Sequence, residues 1–493
     1  MTTQHLAVEA AREHRETHAA EILAEFVDLL SLPNVSRDAD DVAATARHVT
    51  AMLESRGVEA RTVQLGDAAP VVVGHLRREG ARSTIGLYAH YDGQPIDQPG
   101  WQVAPFAPTL VTGVLGEGIE RPLPEGGEEI DPDWRLYARS ASDDKAPVQA
   151  ICTALDALAA ADLTPPANIV FLFEGEEEIG SPNLRTYLET LTEELAADAW
   201  LICDGPVHQT RRPQIVFGWR GISEIEITAY GPIRPLHSGH YGNWARNPNM
   251  QLAQLIASMK DADGNVTITG FYDDTADITE ADIAAVAALP DNDEAMRAEL
   301  GLAATEDDGA AHAMRMLMPS LNVRGFSGGG VGLEAANVIP TEATASLDIR
   351  LAPGNDPEGI LDKVEAHIRS RGWHIVDEEP DLETRLAHPL VAKVRREASY
   401  AGARTRVDSP LGQALLGAAE IAAGEPVVAM PTLGGSVPVH HFIEVLGAAV
   451  AITPFANHDN NQHAANENIR LANLWYGVDL MAALLTMELE AGT

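Results

Sequence analysis

Two kinds of hydrophobic pattern alternate along the first part of the chain. The stretches 7–30 and 40–56 carry apolar residues at helical spacing, which predicts two helices. After Gly57 the pattern changes to short and almost continuous apolar runs, which are typical of buried strands. These runs cover 71–76, 84–90, 168–174 and 199–204, and a helix-like stretch at 146–161 lies between two of them. Buried strands that alternate with helices predict an α/β fold with a doubly covered, mostly parallel sheet.

The middle of the chain has a different pattern. The run 215–231 alternates partially between apolar and polar residues, and 343–353 alternates cleanly, with Asp348 and Arg350 opposite its apolar face. Helices are predicted to begin at Asn247-Pro248 and at Asp356-Pro357, where a capping residue precedes proline. Half-exposed strands with helices on one side predict a small α+β domain with an antiparallel sheet.

The α/β pattern resumes near residue 409. It continues through a helix at 411–423, a glycine-rich turn at 433–436, a strand at 447–454 and a last helix at 469–489. A chain of 493 residues is also long enough to favour two domains. We therefore predict a catalytic domain in two parts, 1–212 and 403–493, with an α+β domain inserted at 213–402. The segment 116–133 is predicted to be a loop or short hairpin and is given no function.

Composition narrows the range of partners and compartments. The chain has 34 basic and 73 acidic residues and a formal charge of −39, which argues against binding to nucleic acids or anionic membranes. Its two cysteines, Cys152 and Cys203, are too few for a disulfide framework and are predicted to be buried thiols. The first 26 residues lack the apolar core of a signal peptide, and no apolar run is long enough to span a bilayer. These features predict a cytoplasmic protein.

Polar residues with metal-binding chemistry follow the predicted buried strands. His90 and Asp92 come after the strand at 84–89, and Asp204 ends the run 199–204. In an open α/β sheet, ligands bind beyond the carboxyl ends of the strands. Asp92 could accept a hydrogen bond from the ring of His90 and fix its tautomer. Asp204 could equally be a turn residue.

Three adjacent glutamates, Glu176, Glu177 and Glu178, follow the strand at 168–174. Side by side at the end of a buried strand, they repel one another unless cations neutralise them. One of them could bind a metal ion while its neighbour takes a proton from water, and a charged solvent loop is the alternative.

Two further candidates lie in polar segments. Asp143 and Asp144 precede the helix at 146–161, where an aspartate could also cap the helix. His463 lies before the last helix, and His458 competes with it as a candidate ligand.

Together, His90, Asp143, Glu178, Asp204 and His463 offer two imidazoles and three carboxylates. This set is typical of two divalent metal ions that share one carboxylate, and such a pair makes a nucleophile from water at neutral pH. Mixed histidine and carboxylate ligands suit Zn²⁺, Mn²⁺ or Co²⁺. The sequence therefore predicts a metallohydrolase.

The order and spacing of the motifs resemble the M20 family of metallopeptidases over nearly the whole chain. The resemblance is greatest to the dipeptidase and carboxypeptidase branch of that family. The motifs that carry it are, in chain order, YAHYDGQP, ARSASDDKAP, EGEEEIGS, CDG, LHSGHYG, NVIPTEATASLDIRLAPG, GGSVP and HAANEN. The resemblance implies a catalytic domain with two metal ions, which we expect to be zinc, and an inserted lid domain through which the protein forms a homodimer.

The resemblance also implies a role for each candidate ligand. Asp143 would bridge both metal ions, His90 and Asp204 would complete one site, and Glu178 and His463 would complete the other. Asp92 would orient His90. The family pattern Glu-Glu-x-Gly-Ser matches 177–181, so that Glu177 would be the general base and Glu176 lies outside the pattern.

The resemblance places substrate-binding groups in the lid. His237 matches a histidine that reaches the partner's active site and polarises the scissile carbonyl. Arg350 matches an arginine that holds the substrate's terminal carboxylate by bidentate pairing. Asn337 and the turn with Gly435 and Ser436 are expected to line the same pocket.

Four positions depart from the family pattern. Ala138, Ser140 and Ala146 stand where glycine is usual, and Gly93 stands where valine is commoner. Glycine tolerates backbone angles that other residues resist. We therefore expect a divergent loop around Asp143, with an effect on substrate range more than on the metal site.

These features predict a two-metal hydrolase that cleaves an amide bond beside a free carboxylate, either a dipeptidase or a short-peptide carboxypeptidase. One alternative is an aminoacylase or another N-acyl or N-carbamoyl amino acid amidohydrolase. A second alternative is a non-catalytic binding protein that uses an inherited fold.

Overall fold

The computed structural model describes residues 2–306, 309–434 and 440–489. Within them the chain forms helices α1 (Thr3–Leu30), α2 (Ala39–Glu54), α3 (Lys145–Ala160), α4 (Leu184–Thr190), α5 (Ser238–Tyr241), α6 (Pro248–Ala257), α7 (Glu280–Ala287), α8 (Asp293–Glu299), α9 (His312–Met316), α10 (Pro357–Ser370), α11 (Leu382–Ala387), α12 (Pro410–Ala423), α13 (His440–Leu446) and α14 (Leu471–Leu485).

The strands are β1 (Glu59–Val63), β2 (Val71–Leu76), β3 (Thr84–His90), β4 (Thr109–Val111), β5 (Glu120–Arg121), β6 (Arg135–Tyr137), β7 (Asn168–Glu174), β8 (Ala199–Ile202), β9 (Gln214–Val216), β10 (Gly218–Trp219), β11 (Gly221–Tyr230), β12 (Leu236–His237), β13 (Ser320–Ser327), β14 (Val338–Ile339), β15 (Glu342–Leu351), β16 (His374–Val376), β17 (Val391–Tyr400), β18 (Ala403–Arg404), β19 (Val428–Met430), β20 (Ala449–Ile452) and β21 (Asn468–Arg470).

A large mixed sheet forms the centre of the molecule, with strand order β1-β2-β7-β3-β8-β20-β9-β19. The inner strands β7, β3, β8 and β20 are parallel, whereas β1 and β2 add an antiparallel edge. The sequence predicted a mostly parallel sheet, and the structure confirms a mixed α/β fold. The antiparallel strands were not predicted, because buried parallel and antiparallel strands share one apolar pattern.

Helices cover both faces of the large sheet. Helices α1, α3, α12 and α14 pack together on one face, where their apolar residues form the largest core. Trp200 and Phe442 pack against each other in the core of the opposite face, with ring centroids 4.9 Å apart. A Cβ on Gly86 would overlap the Trp200 ring, so this strand position requires glycine. The buried strands between two helical layers explain the continuous apolar runs of the sequence.

A second sheet has the strand order β13-β15-β11-β17-β16, and residues 221–400 supply all of it. Its pairs are antiparallel except for β16 with β17. Helices α6 and α10 pack on one face, and both begin with the cap and proline that the sequence predicted at Asn247-Pro248 and Asp356-Pro357. Strand β9 belongs to the large sheet, although the sequence analysis placed it in the inserted domain; it pairs in parallel with β19.

Several smaller expectations are confirmed. Cys152 and Cys203 are free and buried. The insert at 116–133 contains β5, which pairs with β4 in a short hairpin. No helix in the described part of the chain is long and apolar enough to cross a membrane.

Candidate metal centre and active site

Three parallel strands bring three of the candidate ligands to one edge of the large sheet. Strands β7, β3 and β8 are neighbours, so that their carboxyl ends meet at this edge. His90 is the last residue of β3, and Asp204 follows β8 by two residues. Glu178 lies in a short 3₁₀ turn at Glu177–Ile179, just after β7. The sheet topology therefore clusters residues that are far apart in the sequence.

Two loops bring the remaining candidate ligands to the same place. Asp143 lies two residues before α3, and a cis peptide bond joins it to Asp144. His463 lies in the loop between β20 and β21 and has a φ of 61°, which is uncommon for a residue other than glycine. Positive φ values at residues other than glycine concentrate at functional sites.

The two carboxylate oxygens of Asp143 face two different histidines. Oδ1 lies 2.9 Å from Nε2 of His90, and Oδ2 lies 3.1 Å from Nε2 of His463. The His463 ring also lies 3.2 Å from Oε2 of Glu178, and the His90 ring lies 3.9 Å from Oδ2 of Asp204. The five residues therefore form two triads that share Asp143, and within each triad the ligand atoms lie within 4.8 Å of one another.

Asp92 contacts both the His90 ring and the turn that carries Glu178. Its side chain is fully buried, and Oδ1 lies 3.3 Å from Nδ1 of His90, on the side of the ring away from Asp143. The same carboxylate accepts hydrogen bonds from the backbone N–H groups of Glu177 and Glu178, each at 3.2 Å. Asp92 can therefore fix both the ring of His90 and the turn that follows β7.

The three adjacent glutamates have three different environments. Oε2 of Glu177 lies 3.9 Å from Nε2 of His90, although Glu177 is in neither triad. Oε2 of Glu178 accepts a hydrogen bond from Gln94 at 2.7 Å. Glu176 points away from the cluster and accepts hydrogen bonds from the backbone and side chain of Asn183. The backbone turn thus directs three side chains of the same type into three different environments.

Burial and mutual repulsion perturb the charges of the cluster. Burial, together with the negative charge of Asp143, raises the pKa of Asp204 to about 7. Burial also raises the pKa of Glu177 well above its ordinary value. Hydrogen bonds to Asp143 and Glu178 raise the pKa of His463 to about 10. Burial would raise the pKa of Asp143, but the hydrogen bonds and charges of His463 and His90 outweigh it and hold that pKa below its ordinary value.

These residues fit a divalent metal pair. Four carboxylates, those of Asp143, Asp204, Glu177 and Glu178, converge on two imidazoles in a largely buried pocket, and cations would relieve their repulsion. Imidazole nitrogen and carboxylate oxygen are ligands that Zn²⁺, Mn²⁺ and Co²⁺ accept. Each triad supplies one histidine and two carboxylates, a set that leaves open positions for water or substrate.

The predicted lid residues lie elsewhere. His237 is exposed at the end of β12, where its Nδ1 accepts a hydrogen bond from Gly239. Among the described residues, no hydrogen bond or ion pair joins His237 to the five candidate ligands. The backbone oxygen of Asn337 accepts from Ser238 at 2.9 Å, which places Asn337 beside His237. Arg350 is half-buried on β15, with Nε 3.7 Å from Asp348. Gly435 and Ser436 lie outside the described residues.

The sequence analysis missed two residues at the site. Gln94 contacts Glu178, and its place two residues after Asp92 in the motif could have suggested this role. Asp144 was considered as a helix cap, but its side chain makes no capping hydrogen bond and accepts from the backbone N–H of His90 at 3.2 Å. No pattern in the sequence could indicate this contact, because it depends on how the loop before α3 meets the end of β3.

Comparisons with known sequences show which proteins the chain resembles. A model of Peptidase family M20/M25/M40 matches residues 86–487. The chain is 24% identical over 476 residues to a Cys-Gly metallodipeptidase of Schizosaccharomyces pombe, covering 94% of this chain and 93% of that protein. It is 27% identical over 429 residues to the human Beta-Ala-His dipeptidase, covering 84% of this chain and 76% of that protein.

Two solved structures have a fold similar to that of this chain. The chain is similar to an M20 family metallo-carboxypeptidase of Sulfolobus solfataricus, with a TM-score of 0.71 and 28% identity over 95% of this chain and 99% of that one. The dipeptidase Dug1p of Saccharomyces cerevisiae shares the fold, with a TM-score of 0.66 and 23% identity over 97% of this chain and 98% of that one.

Proposed function

The chain belongs to peptidase family M20/M25/M40, and we propose that it is a metal-dependent dipeptidase that cleaves the amide bond next to a free carboxylate. One observation carries this proposal: the two oxygens of Asp143 face His90 and His463 separately, each backed by a further carboxylate. Two relatives that match most of the chain are named as dipeptidases, one of them as a metallodipeptidase, which favours this function over an aminoacylase or an N-carbamoyl amidohydrolase.

The five candidate ligands are proposed to hold two divalent ions, with zinc preferred. Asp143 would bridge them, His90 and Asp204 would complete one site, and Glu178 and His463 would complete the other. When bound, such a pair supplies Lewis-acid polarisation of the amide carbonyl and lowers the pKa of water. Gln94 holds Glu178 by a hydrogen bond, and Asp92 holds the ring of His90, so that both side chains are oriented before a metal ion binds.

Glu177 is proposed as the general base. Its carboxylate lies at the cluster without being needed as a ligand, and its pKa is raised by burial, which suits a group that takes up and releases a proton. It would accept a proton from the attacking water and donate it to the leaving amine. Asp92 holds the backbone of Glu177 and so fixes where this proton is received.

Residues 213–402, apart from β9 in the large sheet, are proposed to form the lid, which would also make the homodimer. Strand β13 is an edge strand whose last six residues are exposed, and an uncovered edge readily pairs with another chain. Val331 and Leu333, just beyond it, are 84% and 107% exposed, which is unusual for large apolar side chains. A homodimer would cover these residues and could bring the exposed His237 to the active site of the partner.

The substrate is proposed to be a small peptide, held by its terminal carboxylate. Arg350 would pair with the carboxylate through its planar guanidinium. Asn337, Gly435 and Ser436 would line the same pocket. We also propose a cytoplasmic location, since both cysteines are free thiols.

Hydrolysis of a dipeptide panel, run beside N-acetyl and N-carbamoyl amino acids with metal-repleted protein, tests this function. We expect turnover of dipeptides with a free carboxylate and little turnover of the acylated amino acids. Exclusive turnover of acylated amino acids would favour the amidohydrolase alternative. Metal analysis of the same protein tests the non-catalytic alternative, which predicts that it retains less than about one ion per chain.

A further inference from the structure

A fully buried carboxylate, Glu467, lies directly behind the candidate metal ligands. It is 1% exposed and immediately precedes β21, whose pairing with β6 places it beside Ala138; the backbone oxygen of Glu467 accepts a hydrogen bond from that residue. Glu467 also lies four residues after His463. Among the described residues, no hydrogen bond or ion pair joins its side chain to the side chains of the five candidate ligands, and the mechanism proposed above does not use it.

The Glu467 carboxylate accepts five hydrogen bonds from the loop that carries Asp143. Oε1 accepts from the backbone N–H of Asp143 at 3.0 Å, and from the backbone N–H and hydroxyl of Ser142 at 3.0 and 3.1 Å. Oε2 accepts from the backbone N–H of Ser140 at 2.9 Å and from Nη1 of Arg139 at 2.8 Å. One side chain therefore accepts from three backbone N–H groups and two side chains of this loop.

This network explains how the loop keeps an unfavourable backbone. Ser140 has a φ of 62°, in the left-handed region that glycine adopts more readily. The loop therefore has a glycine-like conformation without glycine, and the bond from its N–H to Glu467 stabilises that conformation. Arg139 is also fully buried, and the charge of its guanidinium balances that of Glu467.

We propose that Glu467 is a positioning residue for the metal centre, which locks the Asp143 loop to the loop that bears His463. The inference rests on the metal site of the proposed function. Glu467 accepts from the backbone N–H of Asp143 and is joined to His463 through the three intervening residues of the chain. Through these two links it sets the separation of the shared carboxylate from one of its histidines. Groups that orient metal ligands typically contribute 10- to 100-fold to metal affinity.

The test compares Glu467→Gln with Asp479→Asn in the full-length protein. Asp479 is a matched control because its carboxylate is also buried and paired with arginines. It accepts hydrogen bonds from Arg12 at 2.7 Å and from Arg15 at 3.2 Å. Asp479 lies on α14, away from the cluster of candidate ligands. Zinc affinity of each metal-free protein is measured by competition with a chelating dye, and the thermal midpoint is measured with and without zinc.

We expect Glu467→Gln to weaken zinc affinity about 10- to 100-fold and to reduce the zinc-dependent gain in thermal midpoint. Asp479→Asn should lower the midpoint of both forms equally and leave zinc affinity unchanged. Zinc affinity of Glu467→Gln within about threefold of wild type would overturn the inference, even if the variant is less stable.

If Glu467→Gln does not fold, Glu467→Asp replaces it. This variant keeps the charge but is one methylene too short to reach all five donors, so an intermediate loss of zinc affinity is expected. Unchanged affinity there would equally overturn the inference. Wild-type protein that binds no zinc would contradict the proposed function itself, a result that does not depend on any variant.

Discussion

Replacing Glu177 by glutamine removes a proton acceptor and changes little else. Glutamine has the same shape, and the backbone bond from residue 177 to Asp92 is retained. Glu177 belongs to neither ligand triad, so metal content should be unchanged. Loss of a general base typically lowers the rate about 10²- to 10⁴-fold, which corresponds to about 2.7–5.4 kcal/mol of activation free energy. We expect this loss in kcat with little change in KM.

The neighbouring Glu176 provides a matched control. Its carboxylate accepts hydrogen bonds from the backbone N–H of Ala69 and from Asn183, and it faces away from the cluster. Glu176→Gln would direct an amide N–H₂ at these donors and lower the free energy of unfolding by about 1–3 kcal/mol. Its kcat should stay within a few-fold of wild type.

The assay follows hydrolysis of a good dipeptide substrate by the amine released, with metal content measured on the same samples. A Glu177→Gln variant that keeps its metal and turns over within tenfold of wild type would refute the assignment of the base. A Glu177→Gln variant that loses its metal would show that Glu177 acts as a ligand.

Three further predictions test the lid and one half-buried histidine. His237→Ala should lower kcat about 10²- to 10³-fold without changing metal content, whereas alanine at the adjacent His240 should not; equal effects would refute a specific role for His237. Arg350→Lys should lower kcat/KM for free dipeptides about 10- to 100-fold, and dipeptide amides, already poor substrates, should be affected much less. Burial and the neighbouring cationic groups lower the pKa of His440 to about 3, so stability should fall as the pH drops from about 6.5 toward 3 while the unfolded chain takes up the proton. His440→Gln should flatten that part of the curve of unfolding free energy against pH, and an unchanged slope would contradict this assignment.

Much of the fold could be predicted because burial imposes simple patterns. Strands with both faces covered must be apolar throughout, and β3, β7 and β8 have this pattern. Local capping chemistry correctly predicted the first residues of α6 and α10. The helices α7 to α9, between 280 and 316, were not predicted, because they are short and have few buried residues. Their apolar pattern is correspondingly weak.

For the site, local sequence information predicted the identities of the candidate ligands, whereas their environments depend on long-range contacts. The ordered motifs gave the five candidate ligands, and the structure brings all five together. The environments of Glu176, Glu177 and Glu178 could be seen only in three dimensions, because a single backbone turn sends three identical side chains in different directions. Glu467 lies in the motif HAANEN but was given no role, because the motif does not indicate that five donors surround its carboxylate.

The sequence by itself determined the chemistry that is available: which strands are buried, which residue types follow them, and which family the motifs belong to. Those properties depend on residue identity and short-range spacing, both of which can be read directly from the sequence. Only the tertiary structure decided which oxygen of Asp143 faces which histidine, and which buried group holds its loop. The contacts of Asp143 with His463 and Glu467 join segments more than 300 residues apart, and their geometry is set by sheet order and loop packing, which no local pattern encodes.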